Sequence, residues 1–341
     1  MSFLKIAALI YGNQKHYLDH LAPLASLLGV PLVVTDFEIE RLAKSYYPDL
    51  NLLYFDSVEM AERVVTQFEV VISCLPKDLF DSLFFITETL HQKHLMNVWC
   101  PHGNSDKGHS SYFMEGLSKE RWAFVYGQKM IGFLKQKGAF EQLEKLFILG
   151  NYRYEYYLKH IEFYQKTLEE KLPLNRERRT LLYAPTWDDD ENSSSFEIAH
   201  SFLINAVPRD WNLIIKPHPH LKCPLESSKE NVIILKDFPP IYPLLQSIDV
   251  YLGDMSSIGY DFLTFRRPLF FYNPQNRDPK KDQGLYLAQC GTIIGENETP
   301  FNLIEKTDLS SFLKIQDHVY NKVFDKQQTL TKVYDILSKT V

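Results

Sequence analysis

Val250-Tyr-Leu-Gly-Asp-Met-Ser-Ser-Ile-Gly-Tyr-Asp-Phe-Leu-Thr-Phe-Arg-Arg-Pro-Leu-Phe-Phe-Tyr272 is the stretch on which the fold turns. An apolar run, Val250–Leu252, meets Gly253-Asp254; the pair Ser256-Ser257 then opens a helical pattern, and a second apolar run, Leu269–Tyr272, follows Pro268. The spacing predicts strand, sharp turn, helix and buried strand, the repeating unit of a parallel α/β sheet. A helix start exposes unpaired backbone N–H groups and the positive end of its dipole. Two serine hydroxyls there add donors, so the place suits a phosphate. Taken singly, Ser and Asp at a helix start are ordinary caps. The rest of the chain decides between the two readings.

The same alternation runs outward in both directions. Leu4–Tyr11, Pro31–Val34, Asn51–Phe55, Glu69–Cys74, Met96–Cys100, Trp122–Tyr126 and Leu146–Leu149 read as strands separated by helical patterns. Tyr152–Lys171 reads as one long aromatic-rich helix, and Leu172-Pro-Leu-Asn-Arg-Glu-Arg-Arg179 is a polar break. Strand and helix then alternate again, with strands at Leu181–Pro185, Trp211–Lys216, Val232–Leu235, Val250–Leu252, Leu269–Tyr272 and Thr292–Gly295, and closing helices over Leu309–Lys339. This pattern predicts two Rossmann-like α/β domains facing across a cleft, residues 1–172 and 173–341, with the last helix packing back on the first domain. A chain of 341 residues exceeds what one hydrophobic core normally organises, which agrees with two domains.

Composition narrows the function. A hydrophobic fraction of 45% with 14% aromatic residues describes an ordered, well-packed chain. A formal charge of −6 argues against a nucleic-acid partner held through many phosphates. The four cysteines, Cys74, Cys100, Cys223 and Cys290, lack CxxC spacing and read as reduced core thiols of a cytoplasmic protein. The first apolar run is too short for a membrane span and lacks a cleavage pattern, so it is expected to be the first strand with no membrane-binding segment before it.

Three further segments carry chemistry. Trp99-Cys-Pro-His-Gly-Asn-Ser-Asp-Lys-Gly108 leaves a strand end with His102, Gly103, Asp106 and Lys107 in one loop: a histidine that titrates near neutral pH, a glycine that lets backbone approach a ligand, and a point charge for phosphate. Leu182-Tyr-Ala-Pro-Thr-Trp-Asp-Asp-Asp190 ends a strand with Thr186, then an acidic run that reads as solvated loop beyond Asp188. Leu213-Ile-Ile-Lys-Pro-His-Pro-His220 delivers Lys216 and His218 to a strand end, between prolines that fix the backbone. His218 and His220 lack a third ligand at zinc spacing, so no metal site is expected. The pairs His16/His20 and His91/His94 read as amphipathic-helix residues, although His16 follows the first strand and would face the ligand edge of the sheet.

Together, and in this order, His102–Lys107, Tyr183–Trp187, Lys216–Pro219 and Asp254–Asp261 resemble the motifs of the CDP-glycerol glycerophosphotransferase family, the teichoic-acid primases and polymerases. Gly150-Asn-Tyr-Arg153 is similar to a further turn of that family. Asn104-Ser105-Asp106 departs from the family's Thr-Pro-Leu, a change that bears on the acceptor. The resemblance implies a GT-B-like fold and attack of an acceptor hydroxyl on a CDP-alcohol, with CMP released. It implies His102 and His218 as catalytic residues. Thr186, Lys216, Ser256, Ser257 and Asp261 would then bind the donor pyrophosphate and its hydroxyls, with Gly103, Asp106 and Lys107 on the acceptor side. The CDP-alcohol is a substrate, no cofactor is required, and a divalent-ion requirement is left open. The resemblance implies a cytoplasmic protein with a polyol, glycan or lipid-linked acceptor; it leaves open a peripheral membrane contact through the aromatic and basic residues of 152–166, whose apolar stripe reads rather as a helix packed between the domains. The alternatives are a nucleotide-sugar glycosyltransferase or epimerase on the same architecture, and a non-catalytic nucleotide-binding protein that kept the fold.

Overall fold

A computed structural model of the protein describes residues 5–107, 117–187, 193–221 and 225–340. The chain divides into two compact units: unit 1 comprises Met1–His102, Phe113–His160 and Lys322–Val341, and unit 2 comprises Gly103–Tyr112 and Ile161–Asn321.

Unit 1 is built on a seven-stranded sheet in the order β3-β2-β1-β4-β5-β6-β7. Its strands are β1 (Ile6–Ile10), β2 (Leu32–Val34), β3 (Leu52–Tyr54), β4 (Val70–Ser73), β5 (Met96–Trp99), β6 (Trp122–Val125) and β7 (Lys145–Ile148). Every pairing is parallel. All five residues of β1 are buried, as a strand covered on both faces requires. The connecting helices are α1 (Lys15–Leu28), α2 (Phe37–Tyr46), α3 (Met60–Gln67), α4 (Lys77–His91) and α5 (Gln128–Gln136), with α6 (Tyr152–Lys159) after β7. Asp36 caps α2 by accepting from Glu38 N and Ile39 N, and Gly29 ends α1 in the left-handed region.

Unit 2 opens with α7 (Ile161–Lys171) and holds a six-stranded, all-parallel sheet in the order β10-β9-β8-β11-β12-β13. The strands are β8 (Arg179–Ala184), β9 (Trp211–Ile215), β10 (Val232–Ile234), β11 (Val250–Gly253), β12 (Leu269–Tyr272) and β13 (Thr292–Ile294). Helices α8 (Phe196–Ala206), α9 (Ile241–Gln246) and α10 (Ile258–Phe262) lie between strands, and α11 (Pro300–Leu303) and α12 (Ser310–Val323) follow β13. Leu181, Leu213, Leu252 and Phe270, one from each central strand, meet Phe196 and Leu203 of α8 in the core.

The α/β class with two parallel sheets is as expected, but three details differ. The aromatic helix over Tyr152–Lys171 is two helices broken at His160, and the chain passes from unit 1 to unit 2 at that break rather than at residue 172. Tyr152, Tyr156, Tyr157 and Tyr164 are each at most 2% exposed, so these four tyrosines offer no membrane-facing surface. As expected, the last helix returns to the first unit: the chain re-enters unit 1 at Lys322, where α13 (Leu330–Lys339) packs on α1. The returning segment passes so close to Gly127 and Gly150 that a Cβ on either would lie 2.6 Å from Val323 O or from Lys326 Cβ. Among the described residues no helix is long and apolar enough to cross a membrane.

Beneath the carboxyl edge of β4 and β5 runs a buried polar chain. Ser73 Oγ donates to Asn97 Oδ1, and Asn97 Nδ2 donates to Glu120 Oε2, each at 3.1 Å. Burial pushes the Glu120 carboxyl up to about 7. The folded state therefore keeps a proton that the unfolded chain releases in the ordinary carboxylate range. Stability from this group is full at low pH and falls as pH climbs to about 7, by at most roughly 3 kcal/mol. In Glu120→Gln the drop in melting temperature between about pH 5 and about pH 8 is expected to shrink relative to wild type. Equal slopes in the two proteins would show that Glu120 is ionised throughout.

Candidate active site

In unit 2 the strand order reverses between β8 and β11, and in open parallel sheets ligands collect beyond the carboxyl ends of strands at such a point. Asp254, the first residue after β11, is 4% exposed. Its carboxylate accepts from Thr186 N at 2.8 Å, Ser195 N at 2.8 Å and Ser195 Oγ at 2.9 Å. Thr186 lies just past β8 and Ser195 is the N-cap of α8, so one side chain ties both strand ends and a helix start together. Tyr183 Oη completes the cluster, 2.8 Å from Ser195 Oγ. Burial raises the Asp254 carboxyl despite the three donors that hold it down.

The serine pair stands at a helix start, as its spacing predicts, but the helix is short. Helix α10 starts at Ile258 with Ser257 as N-cap and runs five residues before a single 3-10 turn, Leu263–Phe265. Such a short helix carries little dipole. Ser256 is 8% exposed, and Ser257 is half-buried and makes no side-chain cap bond. Asp261, expected to meet a ribose or polyol hydroxyl, is 3% exposed and accepts from Tyr242 Oη at 3.1 Å; it braces α9 against α10.

Lys216 follows β9, with its backbone N bonded to Tyr183 O at 2.9 Å and its Nζ to Phe238 O at 3.0 Å. His218 Nδ1 accepts from His220 N at 3.2 Å, which leaves a neutral His218 carrying its proton on Nε2. The Trp187 ring lies 6.2 Å from the His218 ring and 5.7 Å from His220. Lys107 Nζ sits 4.9 Å over the same indole and donates to Trp187 O at 2.9 Å. Trp187 is thus a ligand-edge residue to which the sequence reading gave no role. Its place one residue after Thr186, past a strand end, was the available signal. Asp188–Asp190 and Glu191 lie outside the described residues.

Gly103, Asp106 and Lys107 group with unit 2, although the sequence assigns them to the first domain. Asp106 is 2% exposed; Tyr260 Oη donates to Oδ1 and Leu287 N to Oδ2, at 3.0 Å. Both oxygens hold unit 2 together, so an acceptor-binding role does not fit this carboxylate. A small cleft, no larger than a water molecule, is lined by Asp106 and Asp254 and also by Phe271, Asn273, Gly284 and Leu287.

His102 belongs to unit 1, three residues past β5. Its ring centroid lies 5.3 Å from His16 and 5.0 Å from Tyr17. Deeper on α1, His20 is 6% exposed, with Nδ1 2.5 Å from Tyr126 Oη. Because Tyr126 Oη donates to Pro101 O at 3.0 Å, His20 Nδ1 is the donor of that pair. Burial, then the charge of Arg153, push the His20 imidazole well below its usual value and keep it neutral. Arg153 itself donates to Asp19 Oδ2 at 3.0 Å, and Tyr47 Oη to Asp19 Oδ1 at 3.0 Å. Pro101, immediately before His102, is therefore pinned by a tyrosine that α1 itself supports.

Against this geometry the comparison with known families is decisive. Residues 105–323 match the family CDP-Glycerol:Poly(glycerophosphate) glycerophosphotransferase. The chain belongs to that family. The match takes in Thr186, Lys216, His218, Asp254 and the serine pair; His102 lies just ahead of it. Among curated relatives, the teichoic acid poly(glycerol phosphate) polymerase of Bacillus spizizenii is 25% identical over 248 residues, 68% of this chain and 59% of its own length. The teichoic acid glycerol-phosphate primase of Bacillus subtilis is 22% identical over 291 residues, 76% of this chain and 73% of the relative. The chain thus spans little more than half of the first of these. The wall teichoic acid polymerase TagF shares the GT-B-like fold, with a TM-score of 0.72 at 15% identity over 98% of this chain and 88% of that one. The UDP-GlcNAc 2-epimerase of Neisseria meningitidis is a more distant fold relative, with a TM-score of 0.57 at 12% identity over 98% and 99% of the two chains.

Asp254→Ala strands the buried donors Thr186 N and Ser195 N. It is expected to lower unfolding free energy by about 2–4 kcal/mol, measured as a shift of the urea midpoint. Asp254→Asn keeps one acceptor oxygen and falls between. A midpoint unchanged in Asp254→Ala would show that the carboxylate does not hold the two strand ends.

Proposed function

We propose that this glycerophosphotransferase-family protein transfers glycerol- or ribitol-phosphate from a CDP-alcohol to a hydroxyl of a cell-envelope glycan or glycolipid at the cytoplasmic face of the membrane. The acceptor oxygen attacks the phosphorus that carries the polyol. The bond from that phosphorus to the CMP oxygen breaks, CMP leaves with the electron pair, and the acceptor proton passes to His102 as general base. Lys216, His218 and the Ser257 hydroxyl would bind the pyrophosphate and offset charge on departing CMP. Thr186 enters through its backbone, held in place by Asp254.

The observation that carries this reading is the gathering of Thr186, Asp254 and Ser195 at the switch point of unit 2, one strand from Lys216, within the stretch that defines the family. Such a fixed, hydrogen-bonded edge is what positioning catalysis of phosphoryl transfer needs.

Incubation with a panel of CDP-alcohols, UDP-sugars and CMP-sugars is expected to release CMP from CDP-glycerol or CDP-ribitol only. Release of UDP would favour the nucleotide-sugar alternative, and binding without turnover the non-catalytic one. His102→Ala is expected to cut turnover by about 10²–10⁴-fold with donor affinity retained in calorimetry, whereas Lys216→Ala weakens donor binding by about 10–100-fold.

A further inference from the structure

The sheet order of unit 1 sets β1 and β5 on either side of β4, so the loops that follow them open at the same edge. His16 lies in the first turn of α1, and its ring meets that of His102 edge-on, at 5.3 Å and 76°. Tyr17 closes a triangle of rings, 4.2 Å from His16 and 5.0 Å from His102. The loop that delivers them turns at Gly12, where φ is +70°, and Gly12 N donates to Thr35 Oγ1 at 2.8 Å. Lys15 reaches Glu38 of α2 at 3.4 Å.

We propose that His16 is a positioning residue for His102: its imidazole fixes the plane of the His102 ring and shares a single positive charge with it, which keeps His102 in the neutral form that can take a proton. This rests on the reading of His102 as the base of the proposed transfer. A second positive charge about 5 Å away opposes protonation of His102, so whichever ring is protonated first holds back the other. The other groups facing the pair change little near neutral pH. Tyr17 is pushed up to about 12 by burial, and the Cys74 thiol, past β4, is raised well above its usual range by burial. His20 is held neutral by burial and by Arg153, whose charge is balanced by Asp19. Tyr126 and Cys100 donate to the carbonyl of Pro101. His16 is the neighbouring imidazole whose ring meets that of His102 and can carry a second charge.

The test is the imidazole titration of His102, followed by NMR without substrate and assigned by the signal lost in His102→Gln. In His16→Phe, which keeps a ring and removes the charge, the His102 midpoint is expected to rise by about 0.5 to 2 pH units, the effect of a unit charge about 5 Å away between water-like and protein-like screening. The acid limb of the kcat/KM profile moves by the same amount. His16→Ala lowers kcat by about tenfold with donor affinity unchanged, and His16→Phe recovers much of that loss at alkaline pH. An unchanged His102 midpoint in both His16→Phe and His16→Gln overturns the proposal. The titration needs no turnover, so a wild-type protein that releases no CMP would sink the transferase reading and leave the His16 result to be judged by itself.

Discussion

The carboxylate of Asp254 is the point on which the ligand edge of unit 2 depends. A carboxylate removed from water is tolerated only when its oxygens are bonded, and here three donors from two segments converge on it. The converse matters as much: Thr186 and Ser195 are themselves held in place because a buried acceptor waits between β8 and β11. Charge burial and the placing of these two residues are therefore one interaction seen from two sides. A site that works by presenting fixed donors to a phosphate gains from that rigidity, since little reorganisation remains for the moment of reaction.

Unit 1 reaches similar rigidity with different chemistry. Tyrosine hydroxyls take the place of the carboxylate: Tyr126 bonds Pro101 O and His20, Tyr152 bonds His20 O at 3.2 Å, and Tyr47 bonds Asp19. Aromatic rings supply apolar area while their hydroxyls bond backbone groups, so the floor under His102 is packed and braced by hydrogen bonds. The neutral state of His20 belongs to this floor, whereas His16, one helical turn earlier, is half-buried.

Much of the fold was legible because hydrophobic periodicity is local. The strands fall within a few residues of their expected bounds, and β12 matches them. Tyr152–Lys171 misled for the same reason: an unbroken helical pattern does not reveal that a residue such as His160 ends one helix where the chain changes unit. The serine pair was legible as a helix start, but its five-residue length was not, because Gly259 and Tyr260 pack into the fold rather than extend a solvent-facing helix.

Residue types and their order thus determined the α/β class, the family and the segments that reach the ligand edges: His102, Thr186, Lys216, His218 and Asp254–Asp261. Only the tertiary structure decided what each carboxylate does. Asp106, Asp254 and Asp261 look alike in the sequence as acids beside a phosphate motif, yet each is buried and bonded to groups far away in the chain: Tyr260 and Leu287, Thr186 and Ser195, and Tyr242. A carboxylate becomes a brace or a ligand contact according to whether water or a fixed donor surrounds it, and that is set by which distant segments pack against it.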